Sequence, residues 1–306
     1  MKVVSFFSGL GGLDKGFVDT GYDIIWANDF DKYAVQTYKA NFGEHIVLGD
    51  INEIPLEEYV SGVLAGEMPA EFSLEALKAQ AVAARTYVMK RLSTNKKNEY
   101  DVIDTVQNQV YLDETQQKQN WGNRYTELSN KVKQAVIETN SEYLVYNGKI
   151  IDALFFSTSI GVTENSEDIF PNEIPYLRSV SSTWDSVSPL YDKEYYFTLK
   201  KFYDLLGLEY KDKVTVEIIS KTNTGRIKKI KINDKTFTGW ELCNKLGLKS
   251  NYYTITQNNN SIKVVARGYG HGVGMSQYGA EGMSRAGYTY DQILYHYYQG
   301  TKIKKI

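Results

Sequence analysis

The sequence predicts an α+β protein, and three observations predict it. A run of strong helix formers, LEALKAQAVAARTYVM, follows directly on Ser73. In NSEYLVYNGKIIDALFF an Asn147-Gly148 pair separates two β-prone runs, one of the strongest short-range hairpin signals. At the amino terminus an apolar run from Lys2 to Phe7 enters the glycine-rich SGLGGLDKGF and then a helical pattern, which is the order of a Rossmann-like β-α-β fragment.

With 306 residues the chain can hold one large core and a smaller companion. A hydrophobic share of 42%, a charged share of 24% and a formal charge of -2 describe a globular protein. They supply no electrostatic case for a nucleic-acid partner. The 25 tyrosines suit contact with sugar rings and peptide stems, though tyrosine is also a common strand and interface residue. Cys243 is the single cysteine, so no disulfide framework and no cysteine metal site is expected. His45, His271 and His296 lack ligand spacing, and no structural metal is predicted.

Taken in order, the first elements are strands at Lys2 to Phe7, Asp23 to Ala27 and His45 to Leu48, with the glycine loop and helices between them. A strand running into such a loop brings backbone N–H groups to a nucleotide-like ligand, and an acid at the end of the second strand, here Asp29, commonly meets ribose hydroxyls. Asp14, Lys15 and Asp19 interrupt the apolar character early, and no run of about eighteen apolar residues is present, so neither a signal peptide nor a membrane span is expected.

IPLEEYVSGVLAGE is a short amphipathic segment leading to Glu67. Pro69 disfavours helical geometry at Met68, which puts Glu67 on a turn ahead of the main helix. That helix is expected from Leu74 to Met89, capped by Ser73, with Leu74, Leu77, Ala81, Ala84 and Val88 as one buried stripe. Lys78 and Arg85 share a second face. Ser93 to Glu99 reads as a surface loop, DVIDTVQNQVYLD alternates like a strand, and an amphipathic helix is expected from Asn123 to Thr139. After the hairpin, residues 195–256 read as a peripheral α/β insertion: helices near Leu199 to Leu206 and Thr238 to Leu246, strands at Val214 to Ser220 and Ile227 to Ile232. A strand then feeds YGHGVGMSQYGA, whose glycines bend the backbone around His271, and a last helix is expected around Tyr290 to Tyr298.

Three stretches carry a family resemblance. Glu67-Met-Pro followed by Glu75, Ala76, Lys78, Ala79, Gln80, Ala83, Ala84, Arg85, Thr86 and Tyr87 resembles the SpoIID/LytB family of sporulation and cell-wall proteins. Downstream, Ser157, Thr158, Ser159, Thr163, Glu164 and Asn165 match the family's STSGG-TEN loop, with Ile160 in place of a glycine. YGHGVGMSQYGA is the third match, and it carries His271, Gln277 and Tyr278. The resemblance implies a mixed α/β domain over residues 53–306 with a glycine-lined cleft. It also implies a peptidoglycan lytic transglycosylase with Glu67 as its catalytic acid, cutting between N-acetylmuramic acid and N-acetylglucosamine to leave 1,6-anhydro ends. Lys78, Arg85, Ser157, Thr158, Ser159, His271, Gln277 and Tyr278 are the expected substrate contacts. Glycan strands and a wall amidase are the implied partners, and the implied place of action is outside the cytoplasmic membrane or at it. A wall-binding module without turnover, of the amidase-enhancing kind, is the alternative.

Residues 1–52 instead resemble the start of a DNA cytosine-5 methyltransferase. The resemblance assigns Phe7, Gly9, Gly11 and Gly12 to an S-adenosylmethionine loop, Asp29 to ribose, Phe30 to the neighbouring aromatic position and Asp50 to adenine. That family attacks cytosine with the thiolate of a Pro-Cys pair. The chain has no Pro-Cys pair, so methyl transfer is not expected. No cofactor is expected either, because two or three strands with an open edge and an uncovered face seldom hold a pocket. A fusion of unrelated coding segments is expected near Gly49 to Pro55.

Overall fold

The computed structural model describes residues 2–6, 11–29, 31–44, 46–48, 55–94, 102 and 109–306. The chain divides into two compact units, Met1–Tyr59 and Val60–Ile306. In the first, β1 (Lys2–Phe6), α1 (Gly12–Asp19), β2 (Asp23–Asp29), α2 (Lys32–Phe42) and β3 (Ile46–Leu48) alternate. The strands form one parallel sheet in the order β1-β2-β3. Asp31 caps α2 by accepting from the Tyr33 and Ala34 N–H groups. Ala27, Val35, Tyr38 and Ile46 form a small core.

The second unit takes up α3 (Leu56–Glu67) after its opening turn and is built round α4 (Leu74–Thr94). α4 runs five residues beyond the expected end at Met89. It is buried on almost its whole circumference from Ala76 to Val88 rather than along one stripe, and Leu74 is only partly buried. Alanine at positions 76, 79, 81, 83 and 84 permits this, because small side chains let neighbouring elements approach from every side. Glu67 also departs from expectation: it is the last residue of α3, with the break beginning one residue later at Met68.

No strand forms at 109–113, where alternation predicted one; the rest of that stretch, apart from Val102, lies outside the described residues. The helix predicted at 123–139 forms as α6 (Tyr125–Glu138), preceded by a helix that periodicity did not indicate, α5 (Glu114–Trp121), and a 3-10 turn at Gly122–Arg124. Gly122 at φ 52° interrupts the chain there, and a capping box of Asp113 and Gln116 opens α5. β4 (Glu142–Tyr146) and β5 (Lys149–Ile150) form the hairpin expected at Asn147-Gly148, both turn residues having positive φ. β6 (Phe155–Phe156) and α7 (Ser166–Ile169) follow.

β7 (Asp192–Thr198) leads into a lobe with its own core. Its elements are α8 (Leu199–Leu206), β8 (Val216–Lys221), β9 (Ile227–Ile232), β10 (Lys235–Thr238), α9 (Gly239–Leu246), β11 (Tyr253–Asn258) and β12 (Ser261–Arg267). Phe202, Leu206, Ile230, Ile232, Phe237, Leu242 and Val264 fill it. The helices and strands lie close to where the sequence places them. β13 (Met275–Ser276), α10 (Gln277–Arg285), α11 (Tyr290–Tyr297) and β14 (Lys302–Lys305) complete the chain described here, with β14 joining the hairpin in the order β14-β4-β5.

Gly239 shows which constraint dominates in the lobe. Helix propensity alone favours alanine over glycine by about 1 kcal/mol. A Cβ at position 239 would lie 1.9 Å from the Ile227 carbonyl oxygen, which is backbone and cannot swing away. Gly239→Ala therefore destabilises the protein by about 2 kcal/mol or more, read as a lowered urea midpoint. A midpoint raised by the substitution would show that propensity prevails.

Candidate active site

Glu67 is held by what crosses α3. Gly62 and Gly66 lie one turn apart on that helix, and a Cβ on either would strike the crossing segment: the Tyr111 ring at 2.1 Å or the Val110 carbonyl oxygen at 2.6 Å. The two glycines let residues 110–112 lie directly on the helix, where Leu112 N–H donates to the Gly62 carbonyl at 3.0 Å. Val110 N–H donates to Glu67 Oε1 at 2.6 Å.

Burial raises the Glu67 carboxyl above the usual range, opposed by the Val110 hydrogen bond. Its place at the carboxyl end of α3 acts in the same direction as burial, since the partial negative charge there disfavours a carboxylate. Met68 and Phe72 are buried beside it in the chain, whereas Pro69 is exposed and does not contribute to the enclosure. Among the described residues no cation pairs with Glu67. Lys78 bonds Glu75 at 2.8 Å and Glu138 at 3.3 Å and lies 4.6 Å over the Tyr290 ring. Arg85 is fully enclosed, its Nη1 donating to the Glu142 carbonyl at 3.0 Å. It therefore stands in the interior, although the helix spacing puts it on one face with the partly exposed Lys78.

The start of α10 meets Glu67 from the other side. Gln277 Nε2 donates to the Glu67 carbonyl oxygen at 2.9 Å, and the Tyr278 ring meets Phe72 edge-on at 4.9 Å. Tyr278 N–H donates to the Ser157 carbonyl at 3.0 Å, which brings in the serine-rich loop. Ser157 is partly exposed, but Thr158 and Ser159 are buried with their hydroxyls committed inside the protein. Thr158 Oγ1 shares a hydrogen bond with Ser188 Oγ, and Ser159 donates from N and Oγ to Asp185. Ile160 takes no positive φ; Gly161 does so instead, at 100°.

Asp185 escaped the sequence reading. It accepts from the Ser159 backbone and from the hydroxyls of Ser159, Ser182 and Ser276, and burial nonetheless raises its pKa. Ser182 is three residues away, but Ser159 and Ser276 are too far off in the chain for any motif spacing to reveal them.

His271 sits elsewhere on the glycine-rich loop, its ring 5.6 Å from that of Phe156 and 5.7 Å from that of Phe170. Val273 N–H donates to its Nδ1 at 3.1 Å. Burial, then the nearby Arg226 charge, brings its pKa down to about 4 against the pull of a Phe155 backbone hydrogen bond. A neutral ring results. No contact among the described residues joins His271 to Glu67. Beneath the loop, Glu164 and Arg226 are both 0% exposed and pair at 3.2 Å, and Thr224 Oγ1 donates to Glu164 Oε1. Burial opposes both charges, raising the Glu164 pKa and lowering that of Arg226, while their mutual attraction offsets it.

In the first unit Gly11 has φ 85° and packs against Phe42 and Tyr38, Gly12 opens α1, and Asp29 Oδ1 accepts from Asp31 N–H at 2.8 Å. Phe7, Gly9, Phe30 and Asp50 lie outside the described residues.

The class the geometry defines is an α+β protein with a partly enclosed acid at a helix end, bridged through Gln277 to a glycine-rich loop. Comparison with known proteins supplies the family. Residues 45–146 match the family described as Stage II sporulation protein. Stage II sporulation protein D of Bacillus subtilis (strain 168) is 44% identical over 260 residues, covering 83% of this chain and 76% of that protein. The chain belongs to the stage II sporulation protein D (SpoIID) family. An amidase enhancer of the same organism is 31% identical over 299 residues, 80% of this chain and 40% of the relative. Residues 1–72 also match the C-5 cytosine-specific DNA methylase family, and a type II methyltransferase, M.Bsp6I, of Bacillus sp. (strain RFL6) is 28% identical over 177 residues, 56% of this chain and 51% of that protein.

The His271 environment sets a pH dependence. In the unfolded chain the imidazole titrates near its ordinary value of about 6.5; folded, it stays neutral down to about 4. Its contribution to stability is complete above the unfolded value and is lost as pH falls from there toward 4, because the unfolded state then binds more protons. The loss reaches at most about 3 kcal/mol. Urea midpoints across this window should fall less steeply for His271→Gln than for the parent. Equal slopes would show that His271 titrates normally in the folded protein.

Proposed function

We propose that this protein is a peptidoglycan lytic transglycosylase of the sporulation type, with Glu67 as its one catalytic carboxyl. The observation that carries this reading is the raised pKa of a partly enclosed Glu67 that has no cation partner among the described residues. A carboxyl kept protonated above its ordinary range is suited to general-acid work. Glu67 gives its proton to the glycosidic oxygen between N-acetylmuramic acid and N-acetylglucosamine. The carboxylate then takes the proton of the muramyl C6 hydroxyl as that oxygen closes on C1, leaving a 1,6-anhydro end. No second catalytic carboxylate is required, unlike in most glycoside hydrolases. Asp185, with its four hydrogen-bond donors, serves as a structural acceptor.

Of the remaining site residues, Gln277, Tyr278 and Ser157 stand nearest Glu67 through the contacts above and are assigned to holding glycan. Lys78, with 13% of its side chain exposed, is assigned to holding α4 against α6 through Glu138, with Glu75 steadying it from one turn away on α4. Arg85 is given the same kind of role, and Thr158, Ser159 and His271 shape the loops. The glycine-lined cleft, the amidase partner and action outside the cytoplasmic membrane belong to this proposal as well. Among the described residues no helix is long and apolar enough to cross a membrane. We assign residues 1–52 to a methyltransferase-like β-α-β fragment and 53–306 to the sporulation domain, with 195–256 as its peripheral insertion.

The likeness to an amidase enhancer supports a second reading, a wall-binding module without turnover. Digestion of purified glycan strands, with and without stem peptides, separates the two. The parent yields 1,6-anhydro products by mass spectrometry, and Glu67→Gln lowers the rate by about 10²-fold or more. The rate falls as pH rises through the Glu67 pKa, because the protonated acid is consumed. Glycan binding by a folded parent that forms no anhydro ends would establish the second reading.

A further inference from the structure

The lobe of residues 195–256 reads from sequence as a peripheral insertion. One of its side chains does something more specific. Arg226 leaves the lobe's sheet at the edge of β9, fully buried, and reaches the glycine-rich loop that ends at Gln277. Its Nη1 donates to the Gly270 carbonyl at 3.1 Å, while Ser250 Oγ at 3.2 Å and Asn251 Oδ1 at 3.1 Å hold the same nitrogen from within the lobe. Its Nε pairs with Glu164. Glu164 in turn grips the loop through its backbone, its N–H donating to the Gly272 carbonyl at 2.7 Å.

The loop is shaped to admit this guanidinium. Gly268, Gly270, Gly272 and Gly274 all have positive φ. A Cβ on Gly272 would lie 2.8 Å from Arg226 Nη2 and 3.0 Å from Glu164 Cγ, so the loop closes on the ion pair with no room to spare. From Gly274 the chain passes through Met275 and Ser276 to Gln277, which bonds the Glu67 carbonyl. A continuous set of contacts therefore runs from the lobe, through one guanidinium, to the backbone of the proposed acid.

We propose that Arg226 is a positioning residue for the site, and that the lobe exists in part to supply it. This rests on the transglycosylase reading for its catalytic consequence, but not for its structural one. A guanidinium suits the task because its fixed fork serves a carboxylate and a carbonyl at once, which a lysine ammonium cannot do from one position. Arg226 touches no reacting atom; it acts through the 268–277 loop.

The test uses the full chain with Arg226→Met and Arg226→Lys, read by hydrogen exchange and by glycan-strand cleavage. At a temperature where the variant is folded, Arg226→Met raises amide exchange about tenfold or more in 268–278 but not across α4. It lowers kcat about 10- to 100-fold with a smaller change in KM, the signature of a displaced catalytic group rather than lost substrate affinity. Arg226→Lys recovers part of both. Unchanged loop exchange in folded Arg226→Met overturns the proposal, whatever happens to activity. Loosened loop exchange together with a parent that cuts no glycan overturns the transglycosylase reading and upholds the positioning one. If Arg226→Met does not fold, Arg226→Lys decides by the same readouts: parental loop exchange and parental kcat in that variant also overturn the proposal.

Discussion

The Asp185 carboxylate is the constraint on which the site depends. A buried carboxylate is costly unless its oxygens are satisfied, and here the donors come from three separate stretches of chain: Ser159, Ser182 and Ser276. Satisfying the charge and closing the site are the same event. Ser276 is the cap of α10, so the carboxylate also fixes where that helix begins and thus where Gln277 and Tyr278 stand. Tyr297 extends the network through its hydroxyl to Ser182, joining α11 to it.

α4 is the second requirement. Its alanines allow α6, α10, α11 and β4 to pack around one helix, and two of the polar residues it carries into the interior, Arg85 and Thr86, are met by those neighbours, while the fully buried Gln80 amide makes no hydrogen bond among the described residues. Thr86 Oγ1 accepts from Leu144 N–H at 2.9 Å, and Arg85 donates to the Glu142 carbonyl. At the amino end of the helix, Ser73 N–H is satisfied by Glu281 of α10, a residue far away in sequence. The turn between Glu67 and α4 is therefore set by contacts from α10 at both of its ends. This explains how a segment interrupted by proline holds an acid in one place.

Electrostatics divide the acids of this region by role. Glu75 and Glu138 face Lys78 and serve to anchor it. Glu164 faces Arg226 in the interior. Glu67 alone among these combines partial exposure, a raised pKa and no cationic partner among the described residues. The arrangement keeps the cations of α4 and of the lobe away from the one acid whose protonation the proposed chemistry needs.

Local pattern was enough for several elements. The hairpin at Asn147-Gly148, the lobe's α8, α9 and β9 and the final helix all follow from propensity, turn chemistry and periodicity acting within a few residues. The family, too, was legible in the motifs around Glu67, Ser157 and His271. Periodicity misjudged α4, because a helix wrapped on all sides has no single stripe, and it misjudged 109–113, because backbone crossing a pair of helix glycines needs no strand partner. Glu67 closes a helix rather than opening a turn, since Pro69 restrains only the residue before it. The remote donors of Asp185, the interior place of Arg85 and the reach of Arg226 had no local signal. Each depends on donors and acceptors brought together from remote parts of the chain, and burial makes those partners obligatory only once the fold has excluded water.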